Sequence, residues 1–209
     1  MGAPARSYGG RSALERTEER RQRLVEAAIT VLAAQGDRST MTAICQEAGL
    51  TERYFYESFA NRDAALVAAL DHVSDEIATD AVRVLQETDG PVQDRVLAMT
   101  RAFAEWASTR PERAIVAVVQ SSATGPLRAR RHELIRVFAD LAAREAAELY
   151  GEGAWPADRA RVQGIVFIGG LAELVASWLS GEADLDTDQL AGVVADLFVS
   201  LGRRTPGQA

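Results

Sequence analysis

The sequence has no lysine; all 23 of its basic residues are arginine. Codon bias accounts for such a skew without any functional cause. Arginine forms bidentate forks with phosphate and guanine, so nothing is lost for nucleic-acid work. Cysteine is nearly absent as well. A single thiol, Cys45, excludes an internal disulfide framework and suits a reducing cytoplasm, the expected location. The two histidines, His72 and His132, stand far apart, and there is no CxxC, HExxH or His cluster. No metal site is therefore expected. The chain shows no nucleophile–base pair and no GxGxxG loop after a strand, which argues against an enzyme and against a bound cofactor. No apolar run approaches the ~18 residues of a membrane span, so no membrane partner is expected. The opening "MGAPARSYGG" lacks the apolar stretch of a secretory signal.

Aromatic residues make up only 6% of the 209-residue chain, yet four of them crowd into residues 54–59. The bulk composition, 47% hydrophobic and 25% charged, is that of a globular protein able to bury a core. The formal net charge of −7 argues against a general nucleic-acid binder, but the charge is uneven. Residues 1–62 carry 9 Arg and 8 Asp/Glu, a net of +1; residues 63–209 carry 14 Arg and 22 Asp/Glu, a net of −8. A slightly basic head on an acidic body fits a small nucleic-acid module joined to something else, and a solvated charged helix end would look similar.

Period-two alternation is missing and alanine dominates, so the spacing predicts helix almost throughout. Residues 1–11 form an expected disordered tail. "SALE" at 12–15 has capping-box form. The first helix reaches Gln35, with Leu24, Ala27, Ala28, Val31 and Leu32 in one stripe, and Gly36 stops it. Short helices follow at 41–48 and 52–58, then longer ones at about 62–85, 91–109, 111–121, 126–150, 156–180 and 187–202. Asp186 with Gln189 repeats the capping-box pattern.

Two short helices joined by "GLT" at 49–51 have the helix-turn-helix form, whose second helix enters the DNA major groove. Gly49 permits the turn, Leu50 plugs the angle, and Thr51 caps the second helix, where its hydroxyl can meet a phosphate. Phe55 and Phe59 share a face and belong to a small core with Leu24, Val31 and Ile44. Tyr54 and Tyr56 lie off that face and can meet the sugar-phosphate wall. Arg53 is the candidate for direct base readout. Glu52 and Glu57 either accept from cytosine, or complement the helix dipole and face water.

Residues 39–70, "STMTAICQEAGLTERYFYESFANRDAALVAAL", resemble the N-terminal domain of TetR-family transcriptional regulators. The shared positions are Thr40, Ile44, Ala48-Gly49, an aliphatic at 50, a Ser/Thr at 51, the Tyr56-x-x-Phe59 pair and a basic-acidic pair at 62–63. Ala60 stands where Pro is common, Arg62 where Lys is, and Ala65 where Leu is. The resemblance implies DNA contacts from Thr40, Thr51, Arg53, Tyr54, Tyr56 and Arg62. Arg16, Arg20 and Arg21 on the first helix are further candidates, unless they are solvent-facing arginines paired with nearby Glu.

The expected architecture is all-α: a helix-turn-helix domain at 12–61 and a helical effector-binding and dimerisation domain at 62–209. The helix at 160–180 is apolar nearly all round, through Ile165, Val166, Ile168, Leu171 and Val175 among others. The last helix adds Leu190, Val193, Val194, Leu197, Phe198 and Leu201. Such helices are either buried centrally or paired with a second subunit. The expected dimer interface is Ile165, Ile168, Leu171, Val175, Val194, Leu197, Phe198 and Leu201, holding two reading helices ~34 Å apart over a palindromic operator. Candidate pocket-lining residues are Phe103, Trp106, Val116, Val119, Phe138 and Leu141, with Gln120, His72, Glu105 and His132 as polar anchors for a mainly apolar ligand. The resemblance implies a homodimeric repressor released from double-stranded DNA by a small-molecule effector. The alternative is a TetR-like co-regulator acting through protein contacts without DNA.

Overall fold

The computed structural model describes residues 13–202. The expected tail at 1–11 and Ser12 of the first capping box lie outside them. Among the described residues the chain is helical with no strand. The first helix, α1 (Ala13–Gln35), buries its whole predicted stripe: Leu24, Ala28 and Leu32 are fully enclosed. It ends where Gly36 turns left-handed, at φ +57°. Helix α2 (Met41–Ala48) starts at Thr40, whose Oγ1 accepts from the Ala43 N–H at 3.1 Å. Helix α3 (Glu52–Ser58) follows after the glycine turn. Helix α4 (Arg62–Glu87) is capped by Asn61 Oδ1, which accepts from the Ala64 N–H at 2.9 Å.

Helix α5 (Val92–Thr109) begins after Pro91. Pro111 opens α6 (Pro111–Ala114), which widens into π-helical turns over Ile115–Gln120 before α7 (Ser121–Ala123). Period counting sees one helix at 111–121. The widened turns answer to tertiary packing, with Val116 and Val118 both buried, and such bulges gather at functional sites. Helices α8 (Gly125–Tyr150), α9 (Ala157–Leu179) and α10 (Thr187–Gly202) complete the body. The second capping box forms in full: the Asp186 N–H donates to Gln189 Oε1 at 2.9 Å, and the Gln189 N–H donates to Asp186 Oδ1 at 2.8 Å.

Two apolar cores result. The first joins Leu24, Ile44, Phe55 and Phe59 of the head to Leu66, Leu70 and Val73 of α4 and on to Trp106, Val116 and Leu127 of the body. The second lies among α5, α8, α9 and α10 around Val96, Phe167, Val194 and Phe198. Helix α4 contacts α1, α5 and α8. The head and body therefore share one continuous core through α4 and α6.

Candidate nucleic-acid interface and effector cavity

Gly49 holds φ +61° and ψ +37°, the left-handed geometry that closes α2. Its N–H donates to Gln46 O at 3.1 Å, and the Leu50 N–H donates to Cys45 O at 2.9 Å. Behind the turn, Phe55 is fully buried and its ring lies 5.7 Å from that of Phe59. The two phenylalanines anchor α3, so its opposite side must face outward. Arg53 stands on that side with its side chain 85% exposed, and Tyr56 is 60% exposed. Tyr54 is half-buried, with the Arg20 guanidinium 4.7 Å above its ring. Glu57 meets both cations: Arg53 Nε at 3.2 Å and Arg20 Nη2 at 3.8 Å. Glu57 thus ties α1 to α3, an outcome its position in the sequence did not indicate. Burial raises the Cys45 thiol pKa, with the Glu52 charge adding to the effect. The thiol is a small core group.

Thr40, Thr51 and Arg16 are exposed. Thr40 uses its hydroxyl to cap α2. Thr51 stands at the N-cap of α3, but its side chain makes no capping bond. The expected cap is therefore corrected: the Thr51 carbonyl, not the hydroxyl, receives the first α3 bonds, from the Tyr54 and Phe55 N–H groups. Arg62 is half-buried and donates from Nη1 to Asp37 O at 3.1 Å and Ser39 O at 3.3 Å, while Nε meets Asp63 at 2.8 Å. It staples the α1–α2 loop to the start of α4. Two further arginines position the motif. Arg21 Nη1 donates to Ser58 O at 2.9 Å, and Arg23 Nη2 donates to Ala48 O at 2.6 Å. Each meets the last carbonyl of a short helix, where the dipole favours a cation. Arg23 was not legible as such, because the partners lie 25 residues apart.

A cavity of about 190 Å³ runs inside the body, walled by α4, α5, α8, α9, α10 and the π-helical segment. Phe103, Trp106, Phe138 and Leu141 line it, together with Ile168, Leu171, Val175, Val194 and Phe198. The Phe103 and Trp106 rings stack at 6.0 Å. Val119, Gln120 and His72 are not on its wall. Gln120 points instead toward Gly36 of the head, its Oε1 2.8 Å from where a Cβ on that glycine would sit. His72 Nε2 lies between Glu26 at 3.2 Å and Glu76 at 3.4 Å, and Arg113 bridges the same two carboxylates at 2.8 and 3.4 Å. Both residues belong to the head–body junction, because the faces of α4 and the π segment that carry them turn toward α1.

The α9–α10 face needs a similar correction. Val194 and Phe198 are buried in the protomer's own second core, Val175 is buried on the cavity wall, and Ile168, Leu171 and Leu201 are half-buried against that core. Ile165 and Leu197 do face outward, beside Val162, Val166 and Val193, which are 60%, 58% and 49% exposed. Helix α9 is, by length and composition, apolar enough to cross a membrane although Gln163 and Glu173 interrupt its apolar run; only 17% of its most apolar stretch is buried in the protomer.

Neither a protein-family model nor a curated protein matches the sequence. Solved structures do match in shape. The fatty acid degradation regulator FadR of Bacillus halodurans superimposes with a TM-score of 0.73 at 18% identity, covering 88% of this chain and 97% of that one. FadR of Bacillus subtilis, solved in complex with stearoyl-CoA, gives 0.69 at 18% identity, over 86% and 97%. A TetR-family regulator from Streptomyces coelicolor gives 0.68 at 20% identity, over 88% and 80%. Each alignment spans more than four-fifths of this chain, which has the fold of the TetR-family transcriptional regulators.

Proposed function

We propose that this chain is a homodimeric, sequence-specific DNA-binding transcription regulator, controlled by a small, mainly apolar ligand that releases it from a palindromic operator. The observation that carries this reading is α3 itself. Phe55 and Phe59 lock it from behind while Arg53 and Tyr56 stand clear of the protein surface. Arg53 is the base reader, Tyr54, Tyr56 and Thr51 meet the backbone, and Arg20 and Arg16 flank the groove. Thr40 and Arg62 hold the turn that presents α3, with phosphate contact a secondary role for both.

The outward face of Val162, Ile165, Val166, Val193 and Leu197 supports a two-fold dimer, since a contiguous apolar strip on two adjacent helices calls for cover. Control follows from shared walls. Helix α4 lines the cavity through Leu70, Ser74 and Ile77 and begins at Arg62, the staple of the α1–α2 loop. A ligand that prefers one setting of α4 shifts the population of head spacings and so the affinity for two successive grooves. The stearoyl-CoA complex of the Bacillus subtilis protein supports an apolar effector for this fold. The test is a gel shift against DNA upstream of the protein's own gene across a salt series. Retardation that weakens linearly in log salt supports the reading. No retardation at low salt leaves the co-regulator that works through protein contacts.

A further inference from the structure

Resting on the reading of the cavity as an effector site, we infer that the effector is an elongated amphiphile with an acidic head, held at the end of the cavity nearest the DNA-binding head by Arg131. The shape of the cavity gives the first part. Its lining on α8 extends from Arg131 to Leu149, about 27 Å apart at 1.5 Å per residue. Its lining on α4 extends from Leu70 to Leu85, about 22 Å by the same rise. The two helices run side by side in register. Arg130, next to Arg131, pairs with Asp71, next to Leu70, at 2.6 Å. At the other end Arg95 donates to Leu85 O at 2.8 Å and influences Glu145. The space is a slot, and between Arg131 and Glu145 α8 contributes only Leu134, Ile135, Phe138, Leu141 and Ala142.

The chemistry of the ends gives the second part. Arg131 is the one cation among the lining residues. Its side chain is only 15% exposed, yet its one hydrogen bond in the structure runs from Nη2 to Glu173 Oε1 at 3.0 Å. A guanidinium carries five N–H donors. One partner, itself 73% exposed, leaves most of that fork available to a further acceptor, on a side chain that is mostly shielded from solvent. A ligand carboxylate or phosphate supplies the missing acceptors in bidentate form and displaces Glu173 into solvent. The two other charged lining residues do not compete. Asp80 is engaged by Arg83 at 3.2 Å, and Glu145 lies at the far end, where a second anionic group would be repelled. The ligand class is therefore a single-headed acid with a long apolar tail pointing toward Leu149.

The test is a fluorescence titration of the full chain with tetradecanoate, tetradecanol and tetradecanoyl-CoA, each below its micelle concentration. Wild-type protein is expected to bind the acid about tenfold or more tightly than the alcohol, the weight of one charge-assisted pair. Arg131→Gln should remove that preference and leave alcohol binding intact, while Glu173→Gln, at an exposed position, should tighten acid binding. The thioester arm separates the sources of the anion. A response to the free acid alone assigns a carboxylate to Arg131, and an Arg131-dependent response to the thioester assigns a phosphate. Equal loss of acid and alcohol in Arg131→Gln, or no preference in wild type, overturns the head-group assignment while keeping an apolar effector. Binding of none of the three overturns the effector site as well.

Discussion

Arg21 on α1 donates to the carbonyl of Ser58, the last residue of α3, at 2.9 Å, with its guanidinium 4.4 Å above the Phe59 ring. One side chain thus fixes the angle of α3 from behind, without reaching its outer face. Arg21→Ala is expected to lower stability by about 1–2 kcal/mol, the range for a hydrogen bond to a charged group with some solvent access. It should also weaken DNA affinity although Arg21 need touch no DNA. Thermal melts alongside gel shifts check this: a change in binding with no change in melting would assign Arg21 to the DNA surface instead.

Phe55→Ala removes a fully buried ring from the first core, and such a truncation costs about 3–5 kcal/mol. Urea unfolding followed by circular dichroism should show that loss. Tyr56→Ala, on the exposed face of the same helix, should change stability by less than about 0.5 kcal/mol.

Gly36→Ala adds two separable costs. The left-handed backbone at φ +57° disfavours any Cβ by about 1 kcal/mol. The new Cβ also meets Gln120 Oε1, the tip of a flexible side chain. Adding Gln120→Ala should therefore recover only the contact part. Full recovery in the double variant would show that the backbone carries no strain.

Glu145 supplies a pH signature. Its pKa is raised, first by burial beside the cavity and then by the charge of Glu148, against the lowering influence of Arg95 and Arg144. In the window above the ordinary glutamate value the folded chain holds more protons than the unfolded one, so this group makes stability fall as pH rises through it. Glu145→Gln should be more stable than wild type at neutral pH and should flatten the profile in that window. Equal melting temperatures at neutral pH, with matching profiles, would contradict the burial effect.

Val166→Glu places a charge in the exposed apolar strip of α9. Light scattering should find a dimer for wild type and a monomer of unchanged helicity for the variant. A dimer in both would move the interface elsewhere.

The helices were legible because each carries its own punctuation. Gly36, Thr40, Gly49, Asn61, Pro91, Pro111 and the Asp186–Gln189 box stand at the ends of elements the spacing predicts. The inward face of α3 was legible as well, since Phe55 and Phe59 repeat at one helical turn. What sequence could not supply was the choice among several apolar faces. On α9 and α10, period counting marks nearly every side, and only packing decides that Val175, Val194 and Phe198 turn inward while Val166 and Val193 turn out. Long-range polar partners were hidden for the same reason. Nothing local tells Arg23 that Ala48 awaits it, or Gln120 that it will face Gly36 and not the cavity.

Arg53 keeps its side chain 85% exposed, so its removal is expected to leave the fold intact. The decisive measurement is therefore the affinity of wild type and Arg53→Ala for the upstream DNA at matched salt, with melting temperatures taken in parallel. The account predicts specific binding by wild type and a loss of about 1–3 kcal/mol in discrimination for the variant, at an unchanged melting temperature. Equal specific affinity for the two proteins would contradict α3 as the reading helix.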